Sequence, residues 1–133
     1  MKLSGHCLCQ KVLISIPKVS EIVTACHCKM CQRFFGSSVL YLDGLKSEEF
    51  AIFGESIKVY QSSAWAERAF CDNCGSSLYY HSLEDDDFYY FPVGLFDDLS
   101  QAVLKNEIFY DCKPDFYHFA EKTVKTKSNE ISD

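Results

Sequence analysis

The chain has 133 residues, 47% of them hydrophobic and 15% aromatic, which suits one domain with a real core and leaves disorder to the end of the chain. A formal charge of -6 offers no default basic face to nucleic acid or to an anionic membrane. Nothing approaches a bilayer span, and the stretch after Met1-Lys2 is broken by Gly5, His6 and Gln10, so the expectation is a cytosolic protein whose thiols stay reduced.

Cys7 and Cys9 come first, followed by Lys11 to Ile16, where Val12, Ile14 and Ile16 share one face of a half-buried strand closed by Pro17. The next stretch, Cys26-His27-Cys28-Lys29-Met30-Cys31, puts three thiols within six residues, which no packing requirement asks for. It leads into a short helical turn beginning near Cys28 and stopping at Gly36. Ser37 to Leu42, Glu48 to Phe53 and Ile57 to Gln61 read as short strands bounded by turn signals at Asp43-Gly44 and Gly54. Ala66 to Phe70 runs into Cys71-Asp72-Asn73-Cys74-Gly75, a tight knuckle in which Gly75 takes the positive φ that the turn needs. Ser77 to His81 leaves the knuckle, the acidic turn Glu84 to Asp87 reverses it, and Phe88 to Val93 returns. Glu107 to Asp111 is the last convincing strand. The domain spans 1–120, and 121–133, rich in Lys, Thr, Ser, Asn and acid, reads as a disordered tail. The fold class is mainly β: antiparallel sheets tied by zinc knuckles, with little helix and no crossover helices.

Seven of the eight cysteines fall in C-x-C, C-x-C-x-x-C and C-x-x-C groups, too close for relaxed disulfides to be their common use. Metal binding is the natural alternative. Two short chelating pairs far apart in sequence, Cys7 with Cys9 and Cys71 with Cys74, make up one structural zinc with four thiolates. Cys26, Cys28 and Cys31 remain for a second zinc, and three ligands leave a tetrahedral ion with one open position, the arrangement of a reactive site. Spacing alone also allows the pairs to be exchanged.

The succession Gly5-His6-Cys7-Leu8-Cys9, then Cys26-His27-Cys28-Lys29-Met30-Cys31-Gln32-Arg33 with Gly36-Ser37, then Phe70-Cys71-Asp72-Asn73-Cys74-Gly75, and finally Val93-Gly94-Leu95-Phe96-Asp97-Asp98, resembles the glutathione-dependent formaldehyde-activating enzyme family, which also includes the animal centromere protein V. The resemblance covers roughly residues 3 to 119. It implies the folded β-sheet architecture called Mss4-like and the ligand division given above. It also implies a carbon-sulfur lyase-type reaction at the three-thiolate zinc, joining the glutathione thiol to formaldehyde or reversing that addition. The chain departs from the family pattern late: Glu107-Ile108, Cys112-Lys113 and Phe116-Tyr117 stand where His-Ile, Ser-Lys and Trp are frequent, which points to a changed rim of the substrate pocket.

Glutathione brings two carboxylates, for which Lys29, Arg33, Arg68 and Lys113 are candidates, Lys29 and Arg33 foremost because they adjoin the cluster. Each is weighed against an ordinary solvated charge. His27 lies between two ligands and would point away from the metal on an extended backbone, so a structural role is at least as natural as proton transfer. Cys112 reads as half-buried packing, with a fourth ligand or a nucleophile as the sharper alternative. A non-catalytic zinc module that binds a protein partner is the rival reading of the whole chain.

Overall fold

A computed structural model describes residues 1–131. In chain order the strands are β1 (Leu3–His6), β2 (Leu13–Ile16), β3 (Ile22–Cys26), β4 (Val39–Leu42), β5 (Ala51–Phe53), β6 (Ile57–Ser63), β7 (Ala66–Cys71), β8 (Ser77–Ser82), β9 (Tyr89–Tyr90), β10 (Val103–Ile108) and β11 (Val124–Thr126), with helix α1 (Lys29–Phe35) between β3 and β4. The mainly β expectation holds. Among the described residues no helix is long and apolar enough to cross a membrane.

Local chemistry accounts for the elements that frame the thiols. Around β2, Val12, Ile14 and Ile16 are buried at 0%, 2% and 0% exposure while Leu13 faces out, the period-two alternation of a strand with one wet face. Helix α1 starts at Cys28, an extended N-cap whose sulfur accepts from the Cys31 N–H, and ends at Gly36, whose φ of +89° lets its N–H reach the Gln32 carbonyl. With seven residues and Cys31 as its buried side chain, α1 is too short to stand by propensity. It is attached to the fold through the thiol cluster, through Gln32 and through the Ser77 hydroxyl, which donates to the Phe34 carbonyl at 3.2 Å.

The strands make three sheets, ordered β1-β2-β5, β11-β10-β3-β4 and β6-β7-β8-β9. The first and third are antiparallel throughout. The second is mixed: β3 pairs antiparallel with β4, but β10 runs parallel to both β3 and β11, so the expected antiparallel pattern has an exception here. The main core lies under the first and third sheets, where Leu3, Ile14, Leu42, Leu78 and Phe91 are buried. A second, smaller core forms around Val39 and Tyr41 beside α1. Each core contains one thiol cluster.

Residues 121–131 are not the unstructured tail that their composition suggests. β11 adds to β10 by backbone pairing, which needs no apolar side chain; its Val124 is 66% exposed. A 3-10 turn at Ser128–Glu130 follows, and Ser128 donates its N–H and hydroxyl to the Asp111 carboxylate at 2.8 and 2.9 Å. The last two positions of the expected tail lie outside the described residues. The final main strand also sits earlier than expected, at Val103–Ile108, because Phe109 turns left-handed (φ +52°) into the 3-10 turn Tyr110–Cys112.

Candidate metal centres and an adjoining cleft

The first thiol group joins two turns. Cys7 and Cys9 sit in the β1–β2 loop, tightened by Gln10 N–H to Cys7 O and Cys7 N–H to Val12 O, both 3.1 Å. Cys71 ends β7 and Cys74 lies in the knuckle before β8, closed by Gly75 N–H to Cys71 O at 2.7 Å with Gly75 at φ +80°. The Leu8 N–H donates to Ser76 Oγ at 3.0 Å and so ties one loop to the other. The four sulfurs lie within 4.8 Å of one another, Cys7 to Cys9 at 3.6 Å and Cys9 to Cys71 at 3.7 Å. Ser76 Oγ lies 3.2 Å from Cys74 Sγ, and that hydrogen bond pulls the Cys74 thiol down to about 5.

The second group is assembled by a strand end and a helix start. Cys26 closes β3, Cys28 caps α1, and Cys31 stands in its first turn, all three sulfurs within 4.8 Å. Cys31 Sγ is 3.3 Å from Cys26 Sγ and 3.0 Å from the Tyr41 hydroxyl. Burial and then the neighbouring thiolate charge push the Tyr41 phenol well above its usual range, so it remains an O–H that donates to sulfur. Hydrogen bonds from Cys26 and Cys31, helped by the Cys31 N–H and Arg68, pull the Cys28 thiol far down, while Cys26 is pushed up in exchange.

All eight cysteines are free. Four tetrahedral thiolates at zinc–sulfur bonding distance stand about 3.8 Å apart, close to the separations observed, and sulfur donors of this number and closeness fit a metal ion at each group. The two differ in surroundings. Cys26, Cys28 and Cys31 lie in the lining of a cleft of about 900 Å³ whose walls include Trp65, Tyr80, Tyr90 and Phe109. Asp43, Glu84, Asp85 and Asp86 also line it.

Lys29 and Arg33 are exposed and line a separate groove of about 320 Å³, which shares Met30 and Arg68 with the main cleft. Arg68 is not a free surface charge: it is 2% exposed, and both terminal nitrogens lie 3.8 Å from Cys31 Sγ. Lys113 is turned away to staple its own loop, donating to the Pro114 carbonyl at 2.6 Å and to the Tyr117 carbonyl. Cys112 belongs to neither group. Its sulfur is 3.8 Å from Ser128 Oγ, and its carbonyl accepts from Gln32 Nε2 at 3.1 Å, which also donates to the His27 carbonyl at 2.7 Å.

His27 is fully buried and faces away from the sulfurs, as the alternation of an extended backbone requires. Its Nε2 meets Glu107 Oε1 at 2.8 Å and its Nδ1 meets Ser38 Oγ at 2.6 Å. Glu107 is therefore a buried partner behind the cluster rather than part of the pocket rim, which corrects the expectation drawn from its place in the motif. Phe116, 86% exposed, does not line the cleft either. Tyr41 is a residue that sequence reasoning missed, and for Glu107 it missed the pairing with His27, 80 residues away. His81 likewise acquires two carboxylates, Glu67 at 2.9 Å and Asp87 at 2.6 Å, that its spacing did not announce.

Fold and sites together define a mainly β protein with a four-thiol group that joins two turns and a three-thiol group in the lining of a cleft. The chain belongs to the glutathione-dependent formaldehyde-activating enzyme family, whose model matches residues 2–112. It is 33% identical over 131 residues to an uncharacterized lyase of Schizosaccharomyces pombe, covering 96% of this chain and 92% of that protein. A crystal structure of a Rhodobacter sphaeroides protein shares the fold, with a TM-score of 0.57 at 20% identity, covering 69% of this chain and 85% of that one.

Proposed function

We propose that this protein is a zinc-dependent carbon-sulfur lyase acting on the adduct of glutathione, or another small thiol, with an aldehyde, in the manner of an S-(hydroxymethyl)glutathione synthase. The observation that carries the reading is the contrast between the two thiol groups: one has four thiols, whereas the other has three and forms part of the lining of a cleft of about 900 Å³. The family and the lyase name of the yeast relative support the reaction type.

Held by Cys26, Cys28 and Cys31, zinc supplies Lewis acidity toward an aldehyde oxygen or keeps a thiol as thiolate near neutral pH. In the forward direction the C–S bond forms, and the thiol proton ends on the former carbonyl oxygen; the reverse breaks that bond and returns the proton to sulfur. Tyr41 and Arg68 hold Cys31 in place from two sides. Lys29 and Arg33, in the adjoining groove, are the side chains proposed to meet the carboxylates of glutathione, while the acidic residues of the main cleft suit its ammonium group.

The test is zinc per chain by elemental analysis on protein purified without chelator, alongside turnover of the glutathione–formaldehyde adduct. About two zincs, falling to about one in Cys28→Ser with the fold kept and turnover lost, is the expected result. One zinc, indifferent to glutathione, overturns the reading in favour of a non-catalytic zinc module.

A further inference from the structure

We infer that Arg68 is the fixed counter-charge of the three-thiol centre, the positioning residue that lets this centre take a fourth, anionic sulfur. The inference rests on the open-centre reading above. Arg68 projects from the middle of β7, opposite Tyr60 on one neighbouring strand and Tyr80 on the other. It is buried to 2% exposure, and among the described residues no carboxylate pairs with it. A buried guanidinium without a carboxylate is costly unless another anion meets it. The groups that meet it are Cys31 Sγ, 3.8 Å from both terminal nitrogens, and Ser62 Oγ, 3.3 Å from Nε. Aromatic rings seat the planar group: Tyr80 lies 4.8 Å from its carbon, Phe34 5.6 Å and Phe35 6.0 Å.

The charge count gives the arrangement its purpose. Three thiolates on a divalent ion leave a formal charge of about -1, and a fourth thiolate makes it about -2. Asp43, Glu84, Asp85 and Asp86 add negative charge along the same cleft, and Arg68 is the basic side chain found in that lining. Without it an incoming thiolate would meet like charge on every side. Because its guanidinium is stacked and turned to sulfur, its charge stays at the centre instead of clamping a distant carboxylate. Arginine suits the position better than lysine, which sheds its proton readily when buried.

The test uses the zinc-loaded full chain and two probes for the open position, read by isothermal titration calorimetry: 2-mercaptoethanol, which binds as an anion and carries no carboxylate, and imidazole, which binds neutral. Arg68→Met is expected to weaken mercaptoethanol roughly 10- to 100-fold while changing imidazole by less than about threefold, because the missing charge acts on the anion alone. Arg68→Gln, equally uncharged but still able to hydrogen-bond toward Cys31, is expected to show the same thiolate-selective loss, and it carries the test by itself should Arg68→Met fail to fold. Equal losses for both probes, in either variant, would make Arg68 a packing residue and overturn the inference. Unchanged thiol binding in Arg68→Met would overturn it too. If wild-type protein binds neither probe, the open-centre reading falls and the inference with it, an outcome distinct from the other two.

Discussion

Glu107 shows how one side chain can support a thiol group without touching it. The carboxylate lies behind the cluster, takes His27 on one oxygen and the Thr123 hydroxyl on the other, and is 2% exposed. Burial alone would raise its pKa, but the hydrogen bonds from Thr123 and His27 outweigh it and hold the group below the usual carboxylate range. A depressed carboxylate stabilises the fold above its unfolded pKa, and that contribution disappears as pH falls through the folded value. Glu107→Ala is therefore expected to cost about 3 kcal/mol in urea unfolding near neutral pH, with the difference from wild type shrinking in acid. Gly5 is a second residue with a single physical demand on it. A Cβ there would stand 2.4 Å from the Leu95 carbonyl oxygen and 2.6 Å from the Phe96 ring, so Gly5→Ala is expected to cost about 2 kcal/mol in the same measurement and to loosen the loop that carries Cys7.

Among the elements, helix α1 and strand β11 stand by opposite means. α1 was readable because its cap and its stop are local: Cys28 accepts from Cys31 N–H, and Gly36 provides the left-handed residue. β11 was not readable, since its polar residues carry no strand pattern and its partner β10 begins some twenty residues earlier. Beyond the β11–β10 pairing, residue 128 is tied down by the Asp111–Ser128 contact, in which the backbone and hydroxyl donors of Ser128 hold the Asp111 carboxylate below its ordinary range. That docking is complete above the ordinary aspartate range and is lost as pH falls through the folded value. Asp111→Asn is expected to speed hydrogen exchange at the amides of Val124–Thr126 with little change in the amides of β7 and β8, as measured by exchange mass spectrometry.

For the molecule as a whole, the two thiol groups play unequal parts. Cys7, Cys9, Cys71 and Cys74 join hairpin turns from two different sheets around the main core, whereas Cys26, Cys28 and Cys31 lie within 6 residues of one another at the edge of the smaller one. Metal at the first group therefore closes a long loop and contributes to folding outright. Prolonged chelation is expected to abolish the cooperative thermal transition, and Cys74→Ser to lower the melting temperature far more than Cys28→Ser, as followed by circular dichroism. Equal losses in the two variants would remove the distinction between a structural and a reactive centre.

By itself the sequence determined the β character, the chelating cysteine motifs and the short capped helix, and left to the tertiary structure which motifs share a group. What it determined is written in spacings of a few residues, where alternation, a cap or a chelate can be counted along the chain. Only the tertiary structure decided that β10 lies parallel to β3, that Glu107 reaches His27, that Tyr41 and Arg68 converge on Cys31, and that Lys113 turns away from the cleft. The β10–β3, Glu107–His27 and Arg68–Cys31 pairings join residues tens of positions apart, and the Tyr41 and Lys113 contacts depend on how the chain turns and on which charges end up buried. Neither leaves a mark in local spacing, because burial is a property of the packed chain and not of any one stretch of it.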